Sequence, residues 1–145
     1  MKRAMLLVGI LGFGMLVSQN LQAGGEKKDK DKDKVHEVGK GLTIKGKLSA
    51  DVKDVVYKVK LEEGTTYVIH MHSDDQAALD PYLYLNDKEG KQLAEDDDSG
   101  GGDNGLDAQI DFECKTTGTY QVVASSYQRQ GTGEYVLKIT PKKKN

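Results

Sequence analysis

Between Glu95 and Ala108 the chain reads EDDDSGGGDNGLDA, placing six carboxylates and four glycines within fourteen residues. Calcium takes roughly six to eight oxygen ligands from carboxylates, amides and carbonyls, and a glycine-rich chain can bend to bring several of them to one point. Carboxylates this close repel one another, so a bound cation relieves an electrostatic cost. The same composition also suits a solvated surface turn, because Asp, Asn, Ser and Gly each favour turns for their own conformational reasons. The stretch is not an EF-hand. A frame opening at Asp96 puts Gly101 and Asp107 in suitable places, but Gly100 falls where a ligand belongs, Asp107 replaces the bidentate Glu, and the flanks read as strands. Tandem glycine-aspartate calcium repeats are excluded too, since only one such stretch exists.

Other chemistry has weaker support. His70 and His72 are two apart and so share one face of a strand. Imidazole pairs of this kind hold zinc or copper, with Asp74 as a third donor, although a solvent-facing strand surface is their ordinary setting. Ser73 and Ser99 have no nucleophile-elbow sequence around them. Gly100 to Gly102 are not followed by Lys-Ser or Lys-Thr, so they are not a phosphate cradle. Carboxylate pairs suited to glycoside hydrolysis are too numerous here to be informative. Cys114 is the only cysteine; it lies on the apolar side of an alternating run with Ile110 and Phe112, as a buried, inert thiol would.

The elements that must position these residues have a period of two. Val55, Tyr57, Val59 and Leu61 alternate with Val56, Lys58 and Lys60; Tyr67, Ile69 and Met71 with Val68, His70 and His72; Ala108, Ile110 and Phe112 with Gln109, Asp111 and Glu113; and Tyr135, Leu137 and Ile139 with Val136, Lys138 and Thr140. Further strands are legible at Leu42–Leu48, Asp80–Asn86, Lys91–Glu95 and Thr119–Tyr127, separated by turns at Glu63-Gly64, Asp87–Gly90, Thr117-Gly118 and Gly131–Gly133. About eight short strands with no convincing helical period predict an antiparallel sandwich or barrel. The polar face of each strand favours two sheets sharing one core.

The ends differ from this middle. Lys2 and Arg3 precede an apolar run from Ala4 to Val17, and Leu21-Gln22-Ala23 resembles a cleavage site, so residues 1–23 are expected to be a secretory signal peptide. The run is too short for a spanning helix, which needs about 20 residues. No membrane span is expected in the mature chain, which would be secreted or periplasmic. Losing Lys2 and Arg3 moves the formal charge from −2 to −4. Residues 24–38 contain the tract EKKDKDKDK and are expected to be a charged, disordered spacer; residues 142–145 form a basic tail. From Asp74 to Asp111 twelve acids face only Lys88 and Lys91, which excludes nucleic acid as a partner for the domain.

The segments LDPYLYLNDKEGKQLAEDDDSGGG, LDAQIDF, TGTYQVVASSY and GTGEYVLKI, taken in order, resemble the bacterial pre-peptidase C-terminal domain over about residues 39–141. The resemblance implies an all-β, jelly-roll-like antiparallel sandwich that is not catalytic and usually rides on secreted peptidases. Similar domains of clostridial collagenases bind calcium and collagen. Carried onto this chain, the implied cation ligands are Asp80, Asp96, Asp97, Asp98 and Asp107, with Asp103 and Asn104 as loop candidates. Here the domain follows leader and spacer directly, so a free-standing module is expected. Tyr82 and Tyr84 lie opposite Leu83 and Leu85 on their strand, and outward tyrosines either cover the sheet or bind sugars or collagen-like polypeptide.

The leading expectation is a secreted, calcium-stabilised, non-enzymatic module that binds an extracellular protein or polysaccharide. A second is a structural or chaperone-like accessory of a separately encoded secreted peptidase. A third is a small metal-dependent hydrolase using His70 or His72.

Overall fold

The computed structural model describes residues 34–142. The expected signal peptide, residues 24–33 of the spacer and residues 143–145 lie outside the described residues. Nine strands follow in order: β1 Val35–Glu37, β2 Leu42–Leu48, β3 Val55–Leu61, β4 Thr66–His72, β5 Pro81–Asn86, β6 Gln92–Asp96, β7 Ala108–Glu113, β8 Gly118–Ser126 and β9 Gly133–Lys142. One sheet is ordered β1-β3-β8-β5-β6 and the other β2-β9-β4-β7. Every named pairing is antiparallel except β1 with β3.

The alternation read from the sequence decides which side chains meet between the sheets. Val59, Leu61, Leu83, Leu85, Val122 and Ala124 face inward from the first sheet; Ile69, Met71, Tyr135, Leu137 and Ile139 face inward from the second. Fully burying one such side chain stabilises by ~1.5–3 kcal/mol. The chain is therefore an all-β sandwich, as the strand pattern predicts. Cys114 is buried as expected, 3.1 Å from the carbonyl of Thr116.

Two boundaries move. The spacer was expected to reach residue 38, but Val35–Glu37 forms a short parallel edge strand and Val38 is only 2 % exposed. Three residues are too few to show a period, so the charged tract before them concealed the strand. The basic tail was expected from residue 142, yet Lys142 closes β9 opposite Thr66, and its ammonium pairs with Asp111.

Three places position the site. The connection from β4 to β5 is pinned where Ala78 and Leu79 N–H donate to the Asp75 carbonyl. The β6–β7 connection carries the acidic loop, closed by an isolated bridge between Gly101 and Asp107. After β8 a single 3-10 turn, Tyr127–Arg129, sits beside the start of β5, where Tyr127 N–H donates to the Asp80 carbonyl at 2.9 Å.

Candidate functional site: an acidic edge and a tyrosine face

The five expected cation ligands fall into three environments. Asp80, immediately before β5, has a buried Oδ1; among the described residues it is the one buried side-chain polar atom without a hydrogen-bond partner. Burial first, then the charges of Asp98 and Asp97, raise the Asp80 pKa above the ordinary carboxylate value. The structure thus brings Asp80, Asp97 and Asp98 into one electrostatic neighbourhood.

Asp96 is occupied differently. Its carboxylate accepts from Ser99 N–H at 2.9 Å, from the Ser99 hydroxyl, and from Gln109 N–H at 2.8 Å. The first two bonds make a turn; the third ties the end of β6 to β7, in the other sheet, by satisfying a backbone donor on that strand. Asp96 is a clip between sheets, with little acceptor capacity left for an ion.

Asp107 lies apart from Asp80 in its chemistry, and its side chain is only 5 % exposed. His72 Nδ1 lies 2.8 Å from Oδ1, Gln76 Nε2 donates to Oδ1 at 2.6 Å, and His70 Nε2 lies 3.2 Å from Oδ2. Gln76 in turn accepts from Asn104 N–H at 3.1 Å. The Asp107 backbone completes the knot: its N–H donates to the Gly101 carbonyl and its carbonyl accepts from Gly100 N–H. A Cβ at Gly102, whose φ is +79°, would sit 2.7 Å from the Asp107 carboxylate, so the glycine there is required by both conformation and space.

His72 Nε2 also reaches Asp74 Oδ1 at 2.9 Å. With a carboxylate at each ring nitrogen, the imidazolium form is favoured. The Asp107 hydrogen bond is the largest cause of a His72 pKa above its ordinary value, and burial opposes it. The expectation that His70 and His72 are simply solvent-facing is corrected: the register brings Asp107 over them. Their nitrogens address different oxygens of that carboxylate. Among the described residues no three His, Cys, Asp or Glu side chains are arranged to hold a metal ion. The two serines considered as nucleophiles are also engaged, Ser73 Oγ donating to the Glu134 carbonyl and Ser99 Oγ to Asp96.

Gln76 was not singled out in the sequence. One uncharged amide in SDDQAALD carries little signal, and its role depends on a chain reversal that only the packed fold supplies.

The tyrosines build a second feature beside Asp80. Tyr82 and Tyr84 project from β5 away from the core with ring centroids 4.9 Å apart, and Tyr82 stacks on Tyr127 at 6.5 Å. Tyr127 is 47 % exposed. Burial, followed by the Glu95 charge, pushes the Tyr82 phenol up to about 12, so that ring stays neutral near pH 7. The next two residues, Gln128 and Arg129, hold left-handed φ values of 52° and 58°, and Arg129 Nη2 meets Asp54 Oδ2 at 2.9 Å. Left-handed non-glycine residues cost energy and persist where surroundings hold them.

Residues 55–126 match the family model described as the bacterial pre-peptidase C-terminal domain. Among solved structures, the pre-peptidase C-terminal domain of a collagenase from Bacillus anthracis is similar at 21% identity, covering 74% of this chain and 95% of that one with a TM-score of 0.56. PliG of Aeromonas hydrophila, a periplasmic inhibitor of g-type lysozyme, is similar at 11% identity, covering 75% and 98% with a TM-score of 0.53. No curated protein matches the chain.

Proposed function

Because residues 55–126 form a bacterial pre-peptidase C-terminal domain, we propose that this chain is an exported, non-catalytic accessory module that binds an extracellular polymer or protein through the tyrosine face of its first sheet. The observation that carries this reading is the row Tyr84–Tyr82–Tyr127, three rings in sequence on a sheet surface, one of them half in water. Tyrosine combines a large rigid apolar area with a polar tip, which suits wet interfaces. The Tyr127 turn presents its ring at the end of the row, and Arg129 braces that turn against Asp54.

The test is retention of the whole exported chain on fibrillar collagen and on insoluble polysaccharides. Tyr82→Ala/Tyr127→Ala is expected to weaken retention on the bound polymer by about tenfold, equivalent to ~1.4 kcal/mol. Equal retention of the variant and the parent chain on every polymer would sink the reading and favour a purely structural accessory of a separate peptidase.

Calcium is the second part of the proposal. Asp80 offers a hard cation an orphaned carboxylate oxygen in the field of Asp98 and Asp97, and a divalent ion there would relieve that repulsion; since no three of these side chains are arranged as a ready-made cluster, the ion would draw further ligands from backbone carbonyls and water. Asp96 and Asp107, the other residues of the expected set, are committed to protein donors and are left out. Asp80 precedes the tyrosine strand and accepts from Tyr127 N–H, so an ion at this point would brace one end of the binding face.

A raised carboxylate pKa means that the folded state holds its proton to higher pH than the unfolded chain does. Ionised Asp80 therefore lowers stability as pH rises through that window. Asp80→Asn is expected to raise the melting temperature of the calcium-free protein and to abolish its response to calcium. Calcium at about 100 times its dissociation constant should add ~2.7 kcal/mol to the parent chain. Identical melting of the parent in millimolar calcium and in chelator would remove calcium from the proposal while leaving the tyrosine face untouched.

A further inference from the structure

We propose that His72 and Asp107, with His70 beside them, form a pH-responsive latch: with the His72 imidazole protonated the loop of residues 97–107 is held onto β4, and losing that proton loosens it. The geometry is unusual in its economy of anchors. Between the β6 clip at Asp96 and the start of β7 at Ala108, the loop's side-chain tether to the second sheet is Asp107, whose two oxygens face two imidazoles of one strand and the Gln76 amide. Gln76 extends the tether to Asn104, and the Gly101–Asp107 bridge closes the loop on the same residue. Weakening the Asp107 side-chain contacts therefore loosens the loop's hold on β4, while β7 remains held by its ladder to β4.

Every element around the pair contributes to its charge. On β4 itself are His70 and His72. From the β4–β5 connection, Asp74 bonds His72, and Asp75 lies in the same groove of about 710 Å³. On β9, Lys138 lies opposite His70 and Val136 opposite His72, with Glu134 further along. From β2, Lys45 and Lys47 line the groove. On β7, Gln109 lies opposite His70, and Asp111 beyond it is paired with Lys142. From the loop, Asn104 N–H reaches Gln76. Burial opposes a proton on His72. Asp107 and Asp74 favour it from hydrogen-bond distance, where their effect is strongest, and His72 is accordingly shifted upward.

The sign follows from that shift. The folded state holds the His72 proton more tightly than the unfolded chain, so the stabilisation is complete below the unfolded value near 6.5 and is lost as pH rises through the higher folded value. Below it, a charge-assisted bond joins imidazolium to a buried carboxylate. Above it, one neutral N–H remains and Asp107 loses its nearest counter-ion; charge-assisted bonds are about twice as strong as neutral ones. Gln76 still holds Asp107, so the loop loosens without the sheets separating.

The latching side chains are not among Asp80, Asp97 and Asp98, although the loop they hold carries the last two, so the latch is tested in chelator, where failure of the calcium reading does not affect it. The experiment is amide hydrogen exchange of the whole exported chain from pH 5.5 to 8.5, corrected for intrinsic rates. Protection of Gly100 and Asp107 N–H is expected to fall several-fold across the folded His72 titration, while Val122 and Ala124 in the core of β8 hold steady. His72→Asn keeps a donor toward Asp107 and cannot titrate, so its loop protection should no longer change over that range. Unchanged loop protection in the parent chain overturns the latch. So does a pH step that survives in His72→Asn, or one shared equally by Val122 and Ala124, which would mark global unfolding instead.

Discussion

Replacing Asp107 with alanine is expected to lower the unfolding free energy by about 3 kcal/mol, near the cost of breaking a buried charge pair by removing one partner. The substitution leaves the Gln76 amide with no acceptor at Oδ1 and removes the carboxylate facing both imidazoles, while the surrounding groups stay largely shielded from water. Leaving a buried donor unsatisfied costs ~1–3 kcal/mol by itself. Asp107→Asn separates charge from hydrogen bonding. Its amide oxygen accepts from His72 and Gln76, and its amide nitrogen takes the place of the oxygen that faces His70 Nε2. The asparagine variant should therefore lose less stability than alanine near pH 8, and the gap should close toward pH 5.5, where His72 is protonated and needs a carboxylate. Chemical denaturation of the two variants at both pH values measures this. Equal loss for alanine and asparagine at pH 8, or a loss within about 0.5 kcal/mol for alanine, would place Asp107 among ordinary surface acids.

That result bears on how acidic sequence is read. EDDDSGGGDNGLDA looks like one chemical unit when written as letters, and its carboxylates look equivalent. In the fold Asp96 caps a turn and clips two sheets, Asp107 answers two histidines, and Asp97 and Asp98 face Asp80. Eight strands were legible because a half-buried strand writes its environment into alternate residues, and the inward sets around Ile69, Leu83 and Leu137 follow that alternation. The shared orientation of His70 and His72 was legible for the same reason. What they touch was not, because that depends on the pairing of β4 with β7, whose strands lie more than thirty residues apart. Local periodicity reports which face a residue takes; it carries no information about which distant strand supplies the neighbour. Gln76 and β1 were lost to the same limit, one a lone amide and the other three residues long.

Gly46→Ala is expected to destabilise the sandwich by about 3 kcal/mol, at the upper end of ordinary overpacking. Gly46 sits on β2 directly opposite Tyr135 of β9, and a Cβ there would lie 2.3 Å from Tyr135 Cζ and 2.4 Å from its hydroxyl oxygen. The ring has no free direction to yield. Tyr135 is 1 % exposed, and its hydroxyl is 2.7 Å from that of Tyr57 on the opposite sheet, joining the two layers near the edge where His36 of β1 meets Tyr57. Adding one methyl group thus displaces the ring and breaks the inter-sheet hydrogen bond, itself worth ~1 kcal/mol. Since β2 is an edge strand, the strain can also be relieved by peeling β2 away from β9, which would expose unpaired backbone and increase the risk of association. Tyr135→Phe calibrates the hydrogen bond alone and should cost only about 1 kcal/mol. In Gly46→Ala/Tyr135→Leu the smaller side chain leaves room for the methyl group, so the combined loss should fall well short of the sum of the single losses. Full additivity, measured by denaturant unfolding of the three variants, would mean that the glycine is there for some reason other than the ring beneath it.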